Sequence, residues 1–355
     1  MKILFVTIEN HPGTLGGIQT FGRNLKNIYG EELIFLTNKF NVKKIHNVED
    51  VIEVFSSNKI LRAINKICKN IFRKYFIVEN IKKINPDICV LSSYNELEFV
   101  KNIKSKVILV QHTLADRYLF HSENEKFFKG LSQKEPDYII CLSENDKIKF
   151  QENIKSKNIK FKVIRFPNKI EILNKKKEKN KNLVILSRLE NSAKRLDLAI
   201  KVMKKLPDFT LNIYGEGPAE NFYKEIIKKE NIKNVFLKGS TNRVQEKIDE
   251  SSIYVVTSDF EGYPVSSIES MRRGLPIIIR DTFGSANDIV VNNTNGILLD
   301  KEWNEDKFVE AVKKIYDNYE YYSENSKKLG KRYDFEIIKR EWDTLFKELI
   351  GDGRK

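Results

Sequence analysis

The sequence contains few of the residues from which disulfides and metal centres are built. It has three cysteines and four histidines among 355 residues. Cys68, Cys89 and Cys141 are odd in number and lie in or near apolar segments, which indicates small, reduced core residues rather than disulfide or metal partners. The histidines, His11, His46, His112 and His121, are scattered and offer no metal cluster.

Long apolar segments are also missing. No run of about 18 apolar residues could cross a bilayer, and no early segment combines a basic start, an apolar stretch of signal length and a cleavage site. We therefore expect a cytoplasmic protein. At 355 residues the chain exceeds the usual size of one domain, so two domains are expected.

Acidic residues are outnumbered. Lys and Arg total 63 against 49 for Asp and Glu, which gives a formal net charge of +14. Such a charge indicates an anionic partner, which could be a nucleic acid, a membrane surface or a phosphorylated metabolite. A general enrichment in lysine, asparagine and isoleucine explains part of this charge without any function.

Short apolar runs rich in Val and Ile recur, and each is followed by turn residues and a mixed-charge stretch of helical length. This order is typical of βα units around parallel sheets. The first series is "KILFVTI", "ELIFLT", "DICVLSS", "KVILVQH", "YIICLS" and "KVIRFP". The second series is "NLVILSR", "TLNIYG", "NVFLKG", "IYVVTS", "PIIIRD" and "GILLD". We predict an α/β fold with two doubly wound, Rossmann-like domains that face each other across a cleft.

The boundary between the two series is a segment rich in lysine and asparagine, "NKIEILNKKKEKNKN", which is typical of a linker. We place the first domain at residues 1–167, the linker at 168–182 and the second domain at 183–330. Residues 331–355 are predicted to form a C-terminal helix that returns to the first domain. Ligands of such sheets bind at the carboxyl ends of the strands, so the residues there are the candidate site.

Glycines and cations follow the first strand of each series. Gly16 and Gly17 precede a helix predicted to begin near Ile18, and such a turn lets backbone N–H groups approach a phosphate. Arg188 and Lys194 follow "NLVILS" and could together hold a diphosphate, although solvated surface charges would have the same pattern.

Two glutamates stand eight positions apart in "SDFEGYPVSSIESMRRGLPII", residues 258–278. Pro264 suits the first turn of a helix, so Glu261 would lie in the preceding turn and Glu269 about two helical turns along the same side. Carboxylates accept hydrogen bonds from vicinal hydroxyls, which makes this pair suitable for an elongated ligand that carries sugars.

The segment from Pro167 to Gly296 resembles the retaining nucleotide-sugar glycosyltransferases of family 4, which have the GT-B fold. The resemblance rests on "PN", "SRL" with a lysine six beyond the arginine, "YGEGP", "FLKGS", the E-x7-E pair and "NGILL", and it extends over nearly the whole chain. Within the family, the sequence looks most like bacterial enzymes that glycosylate cell-envelope polymers, such as teichoic acid, capsule or lipopolysaccharide. It implies transfer of a hexose or N-acetylhexosamine from a nucleotide sugar, taken here as UDP-linked, to a glycan or lipid-linked acceptor, without a cofactor.

The resemblance also implies a role for individual residues. Arg188, Lys194 and the Gly16–Gly17 turn would bind the diphosphate, Glu261 the donor sugar and Glu269 the ribose, while His112 would point at the donor sugar. The further donor contacts implied are Gly215, Gly217, Gly239, Ser240, Thr241, Gly262, Tyr263, Pro264 and Val265. The family's glycine before the arginine is Ser187 here, and an acid further along is Asp288 where a glutamate is usual, which leaves the sugar open. No Asp-x-Asp pair occurs, so a metal-independent enzyme is implied.

Residues 58–76, "NKILRAINKICKNIFRKYF", form a basic amphipathic pattern without an acid. One side of the predicted helix is apolar, and the other carries Lys59, Arg62, Lys66, Lys69 and Arg73. Such a helix can lie in an anionic membrane surface, and it can equally be a surface helix packed on the sheet.

Two other functions stay open at this point. A sugar-nucleotide epimerase has the same architecture, and the net charge alone would suit a nucleic-acid binding protein. Against the latter, the sequence has no helix-turn-helix spacing, zinc pattern or basic stripe interleaved with aromatics.

Overall fold

The computed structural model describes residues 1–14, 16–39, 42–54 and 71–351. Their contacts divide the chain into two compact units, which we call unit 1 and unit 2. Unit 1 comprises Met1–Pro167 and Phe335–Lys355, and unit 2 comprises Asn168–Asp334. Each unit contains a parallel sheet with helices, so the predicted α/β class is confirmed.

Unit 1 is built on a seven-stranded parallel sheet with the order β3-β2-β1-β4-β5-β6-β7. Its strands are β1 (Ile3–Val6), β2 (Leu33–Thr37), β3 (Val51–Glu53), β4 (Ile88–Leu91), β5 (Lys106–Val110), β6 (Tyr138–Cys141) and β7 (Lys160–Val163). The helices described before residue 167 are α1 (Gly17–Tyr29), α2 (Ile71–Ile84), α3 (Ala115–Leu119), α4 (Asn124–Gln133) and α5 (Glu144–Asn153), with 3₁₀ turns at Gly30–Glu32 and Tyr94–Phe99.

Unit 2 repeats the plan with a six-stranded parallel sheet in the order β10-β9-β8-β11-β12-β13. Its strands are β8 (Asn182–Leu186), β9 (Thr210–Tyr214), β10 (Val235–Leu237), β11 (Ile253–Val256), β12 (Ile277–Arg280) and β13 (Gly296–Leu299). Its helices are α6 (Asn191–Lys194), α7 (Leu196–Val202), α8 (Glu220–Lys229), α9 (Val244–Asp249), α10 (Val265–Arg272), α11 (Ala286–Ile289), α12 (Glu305–Asp317) and α13 (Tyr319–Gly330), with 3₁₀ turns at Met203–Lys205 and Lys331–Tyr333.

The central strands of both sheets are apolar on both faces because helices cover each side. In β1, β4 and β12 every residue is buried. The two free cysteines among the described residues, Cys89 and Cys141, are buried in this way on β4 and β6.

The last helix, α14 (Phe335–Ile350), belongs to unit 1. Trp342 is fully buried, and its ring lies 6.2 Å from the ring of Phe21 on α1. The Tyr29 hydroxyl donates to Asp343 at 3.0 Å, and the Tyr138 hydroxyl bonds Glu348 at 2.7 Å. The chain therefore passes from unit 1 to unit 2 near residue 167 and returns near residue 335.

Residues 168–181, most of the segment that the sequence predicts as a linker, pack on unit 2. Leu173 is buried, and its N–H donates to the carbonyl of Arg272 at 3.0 Å. The ammonium of Lys177 is buried and donates to the carbonyl of Asp249. Since β8 begins at Asn182, the segment leads directly into the sheet.

Eleven of the twelve predicted apolar runs contain a complete strand, and the prediction differs from the structure at two strands. "KVIRFP" was predicted as a strand, yet β7 covers Lys160–Val163 and overlaps that run at two residues only. The short edge strand β3 was not predicted. Of the basic amphipathic segment, residues 58–70 lie outside the described residues, and residues 71–76 are in α2. No helix in the described ranges combines the length and the apolar character that a membrane span requires.

Candidate functional site

The loop after β8 carries both predicted phosphate-binding cations of unit 2. Arg188 extends into solvent with 68% of its side chain exposed, and its guanidinium forms a long ion pair with Glu190 at 4.0 Å. Lys194 ends the short helix α6 and is mostly buried. Arg188 is therefore exposed and only weakly paired, whereas Lys194 has a close partner.

That partner is Glu261, one of the two predicted sugar-binding glutamates. Both carboxylate oxygens of Glu261 lie 2.7 Å from the Lys194 ammonium, and the Ser258 hydroxyl donates to one of them at 2.8 Å. Only 14% of the Glu261 side chain is exposed. The family resemblance gives each of these residues a separate donor contact, and unit 2 brings them into direct contact with each other.

The loop that carries Glu261 is fixed by an ion-pair network that the sequence analysis missed. Asp259 accepts a hydrogen bond from Arg280 at 2.5 Å and from Arg195 at 3.2 Å. Arg280 is buried and also donates to the carbonyl of Thr257 at 2.9 Å. The Asp259 N–H donates to the carbonyl of Ala193 at 2.8 Å, which joins the loop to α6. The network therefore sets the distance between the Lys194 and Glu261 backbones.

Glu269 lies on α10, whose first residue is Val265, and Pro264 caps that helix. Because Glu261 precedes the helix, helical periodicity does not set its position relative to Glu269. Both carboxylates nevertheless act on Tyr254: burial raises the pKa of the Tyr254 hydroxyl, and the charges of Glu261 and Glu269 raise it further. The two acids therefore lie in one neighbourhood.

Burial also shifts the titration of Glu269 itself. Its carboxyl has no partner of opposite charge among the described residues, and desolvation raises its pKa to about 7. Glu269 is half-buried, and a desolvated carboxyl without a cation favours the protonated form. Perturbed carboxyls of this kind are frequent at ligand sites.

The glycines of "GEGP" permit close backbone approach. Gly215 has φ +148, and a Cβ there would lie 1.8 Å from the carbonyl oxygen of Ser187. A Cβ on Gly217 would lie 2.4 Å from the carbonyl oxygen of Leu189. The N–H of Gly215 donates to the carbonyl of Gly239 at 2.8 Å. Because these glycines have no Cβ, the loops after β8, β9 and β10 can pack closely against one another.

Ser240 and Thr241 follow Gly239 at the end of β10. The Ser240 hydroxyl donates to Glu216 at 2.5 Å, and the Thr241 hydroxyl accepts from the N–H of Arg243 at 3.0 Å. The Ser240 hydroxyl therefore joins the loop after β10 to the loop after β9, whereas the Thr241 hydroxyl orders its own loop. Ser240 is exposed.

Tyr263, predicted as a donor contact, has its hydroxyl engaged within unit 2. It lies 2.8 Å from the carboxylate of Asp288 and 2.8 Å from the hydroxyl of Tyr333. The carbonyl of Gly262 accepts from the Ser285 hydroxyl at 3.1 Å. The structure thus gives the Tyr263 side chain a packing role and gives Asp288 a partner.

In unit 1 the helix after the Gly16–Gly17 turn begins at Gly17, close to the predicted position. Gly16 has φ +144, a conformation that side chains disfavour. Two residues that the sequence analysis did not select hold the preceding loop. Arg23 donates to the carbonyls of Pro12 and Thr14 at 2.6 and 2.8 Å, and His11 bonds Glu53 at 3.0 Å.

His112 lies after β5, at the same carboxyl edge of the unit 1 sheet. Its ring packs edge-on to Phe21 with centroids 5.0 Å apart. Desolvation lowers its pKa to about 3, so the imidazole is neutral at physiological pH. Its buried Nε2 has no hydrogen-bond partner in the part of the chain that the structure describes.

A pocket of about 800 Å³ opens at this edge of unit 1. Strand ends and helices α2 and α4 line it, and His112, Tyr94 and Glu96 are among its walls. Glu96 is buried and accepts from the N–H groups of Ile8 and Ser92 at 2.8 and 2.7 Å. Burial raises the pKa of Glu96 to about 8, against these hydrogen bonds, which favour the carboxylate. Glu96 ties the ends of β1 and β4 together below the pocket.

A metal centre would need several ligating side chains in one place. Across residues 1–14, 16–39, 42–54 and 71–351, no group of three or more His, Cys, Asp or Glu side chains is placed to hold an ion.

Comparison with known proteins places unit 2 in a family. Residues 166–332 match the family "Glycosyl transferases group 1". A Haemophilus influenzae protein described as an uncharacterized glycosyltransferase is 28% identical over 94% of this chain and 97% of its own. The poly(ribitol-phosphate) alpha-N-acetylglucosaminyltransferase of Staphylococcus aureus is 26% identical over 89% of this chain and 71% of its own.

Solved structures agree with this result. A crystal structure of TarM superposes with a TM-score of 0.79 at 18% identity, covering 98% of this chain and 99% of that one. A variant of S. aureus TarM bound to fondaparinux, alpha-GlcNAc-glycerol and UDP superposes with a TM-score of 0.66 at 25% identity, covering 77% of this chain and 58% of that one.

The parallel sheets of the two units and the loops at the carboxyl edge of unit 2 define a GT-B glycosyltransferase fold. The chain carries a domain of the glycosyl transferases group 1 family and is a glycosyltransferase. The predicted family resemblance is confirmed, and these relatives give no support to the epimerase alternative.

Proposed function

We propose that this protein is a retaining, metal-independent glycosyltransferase that moves a hexose or N-acetylhexosamine from a UDP-sugar to a cell-envelope glycan, glycolipid or teichoic-acid-type acceptor. The observation that carries the proposal is the Lys194–Glu261 contact at the carboxyl edge of the unit 2 sheet. This edge is where such sheets bind nucleotides. The polyol-phosphate acceptor of the S. aureus relative and the UDP bound to TarM support the acceptor class and the nucleotide.

The diphosphate would be bound by cations and backbone dipoles. Arg188 is exposed and has room for a forked contact, while Lys194 would act as a point charge. The Gly16–Gly17 turn would present N–H groups at the amino end of α1. Because charge develops on the leaving diphosphate, these groups stabilise the transition state more than the ground state.

The sugars of the donor would be read by carboxylates. We assign Glu269 to the ribose hydroxyls and Glu261 to hydroxyls of the transferred sugar. Backbone groups of the loops at Gly215–Gly217, Gly239–Thr241 and Gly262–Val265 would complete the donor contacts. Binding of the donor would then require Lys194 and Glu261 to exchange some of their mutual contact for ligand atoms.

His112 would contact the donor sugar near the reacting carbon. Its neutral state and its buried, unpartnered Nε2 in the described part of the chain support this role, because an orphan polar atom beside a pocket gains a hydrogen bond when a ligand enters. Unit 1 would then bind the acceptor and unit 2 the donor.

The membrane is proposed as a further partner, through residues 58–76. Within the described part of this segment, Ile71, Phe72, Tyr75 and Phe76 on α2 are exposed. Exposed aromatic side chains next to cations suit the interface of an anionic bilayer, where each cation adds about 1 kcal/mol. Nucleotide sugars are cytoplasmic substrates, so the protein would act at the inner face of the membrane.

Donor binding tests the proposal first. Thermal shift and calorimetry with UDP-, GDP- and ADP-sugars should show stabilisation by a UDP-sugar, since a ligand that binds only the folded state raises the unfolding temperature. Binding of none of these donors would refute the proposal. Selective binding of a GDP- or ADP-sugar would keep the enzyme class and overturn the nucleotide.

Product analysis tests the mechanism. NMR of the product should show the anomeric configuration of the donor, and the rate should persist in excess chelator. An inverted anomer, or a rate that chelator abolishes and magnesium restores, would overturn the mechanism. Donor incubated without acceptor should yield no epimer.

A further inference from the structure

The pocket of unit 1 holds charges that the donor chemistry does not use. Helix α4 contributes one wall, where Lys126, Lys129, Gly130 and Gln133 recur at helical spacing on the same side. The other side of α4 is apolar, with Phe127 and Leu131 buried. The helix therefore presents a polar, cationic face to the pocket because its apolar face is needed for the core.

The carboxylates of the pocket are already satisfied. Glu9 pairs with Arg73, and Glu98 pairs with Lys74 at 2.9 Å. Glu96 accepts its hydrogen bonds from backbone N–H groups. No ion pair joins Lys126 or Lys129 to a carboxylate within the described ranges. The pocket thus keeps two cations for a ligand and no free acid to repel an anion.

The remaining wall atoms suit hydroxyl groups. Asn95, Thr113 and Gln133 supply amide and hydroxyl groups, and Tyr94 and Tyr118 supply aromatic surface. A volume of about 800 Å³ is near the upper end of small-ligand pockets, so it has space for several sugar or polyol units. Residues three apart on a helix have neighbouring Cβ atoms, which lets both ammonium groups reach one anionic group.

We propose that Lys126 and Lys129 form an anion subsite that binds a phosphate of the acceptor, and that the acceptor is a polyol or glycan chain joined by phosphodiesters. This inference rests on the proposed function, because it names the substrate class of the acceptor pocket. Phosphate oxygens accept charge-assisted hydrogen bonds from lysine, which acts as a point charge and tolerates the varied geometry of a flexible chain.

The test is calorimetric binding of a short synthetic glycerol phosphate oligomer to the full chain. The double variant Lys126→Gln/Lys129→Gln should weaken binding at least about tenfold, the loss expected for two charge-assisted contacts. The double variant Lys155→Gln/Lys157→Gln is the matched control. It removes the same charge from exposed positions in the loop before β7, at the opposite edge of the sheet, and should bind like the native protein.

Two further ligands separate the alternatives. A neutral oligosaccharide should not distinguish the pocket variant from the native protein. An oligouronate tests whether the lysines bind carboxylates instead of phosphates. If the pocket variant lost affinity for the oligouronate and kept its affinity for the glycerol phosphate oligomer, the phosphate assignment would be overturned. If the pocket and control variants lost the same affinity for the glycerol phosphate oligomer, overall charge would explain the effect and the subsite would be overturned.

UDP binding is measured on the same samples. It should be unchanged in the pocket variant, which also serves as evidence that the variant is folded. If native protein bound the oligomer but no nucleotide, the proposed function would fall while the subsite stood. If the native protein bound UDP and the pocket variant bound the oligomer as tightly as the native protein does, only the subsite proposal would be refuted.

Discussion

Lys194 and Glu261 form an ion pair in which both carboxylate oxygens lie 2.7 Å from one ammonium. The two residues are 67 positions apart in the chain and come together because α6 and the loop after β11 meet at the carboxyl edge of the sheet. Their pairing keeps the two charges that we propose contact the donor in a mostly buried place.

The first prediction separates their roles. Lys194→Ala should lower kcat/KM, with a loss of about 2 to 4 kcal/mol in transition-state stabilisation, because it removes a cation that would contact the leaving diphosphate. It should also weaken UDP binding. Glu261→Gln should lower kcat/KM while leaving the affinity for free UDP unchanged, because its proposed partner is the transferred sugar. Calorimetry with UDP and with the UDP-sugar makes the comparison. Equal weakening of both ligands in Glu261→Gln would contradict the assignment.

Arg188 is the subject of the second prediction. Because its side chain is 68% exposed, Arg188→Ala should leave the unfolding temperature nearly unchanged while abolishing most of the transfer. Arg243→Ala is a matched control: this arginine is 65% exposed and pairs with Glu246 on the helix that begins at the next residue. Thermal melts and initial rates of both variants decide the matter. Similar rates in the two variants would show that Arg188 has no special role.

Glu269 gives the third prediction. Desolvation raises its pKa to about 7, so it is largely protonated at pH 5.5 and ionised at pH 8.5. If the carboxylate accepts the ribose hydroxyls, affinity for a UDP-sugar should rise with pH and level off above pH 7, by up to about tenfold per pH unit below the pKa. The UDP-sugar is the right probe because its diphosphate does not titrate in this range.

Glu269→Gln is the control for that profile. Glutamine has nearly the same shape and does not titrate, so its affinity should be flat across the same pH range. His112, with a pKa lowered to about 3, stays neutral throughout and adds no slope. A native profile as flat as that of the variant would remove Glu269 from the ribose site.

The fourth prediction concerns the backbone. Gly215→Ala should lower the free energy of unfolding by about 3 kcal/mol, through overlap with the Ser187 carbonyl and strain at φ +148. Gly239→Ala has a positive φ of 72° but nothing within 4 Å of the new Cβ, so it should cost only about 1 kcal/mol. Denaturant unfolding measures both. If the two substitutions lowered the free energy of unfolding equally, close loop packing would not be what restricts residue 215 to glycine.

The sequence predicted the architecture well because its signals are local. Each buried parallel strand is an apolar run of the right length, and each run is followed by turn residues. The sequence pattern did not predict strand β3 because Val51–Glu53 has only three residues and is only partly buried at the edge of its sheet. The strand that ends the first series was misplaced because Lys160–Val163 contains two lysines and has no buried residue.

The sequence indicates some residues of the candidate site and gives no sign of others. Arg188, Lys194, Glu261 and Glu269 stand at motif positions, and motifs are readable from spacing. The network of Asp259 with Arg195 and Arg280 is not local, since its partners lie 64 and 21 positions away from Asp259. One feature of the sequence could have indicated this network: Arg280 ends the apolar strand "PIIIR". A buried arginine needs a partner of opposite charge.

The return of α14 to unit 1 has a consequence for how the chain is made. Residues 335–350 are synthesised after all of unit 2, yet Trp342 is part of the aromatic packing around Phe21 in unit 1. Unit 2 is continuous in sequence and can complete its core on the ribosome as soon as it emerges. Unit 1 emerges first and finishes last, and until Phe335–Ile350 has emerged the surface around Phe21 lacks its covering helix.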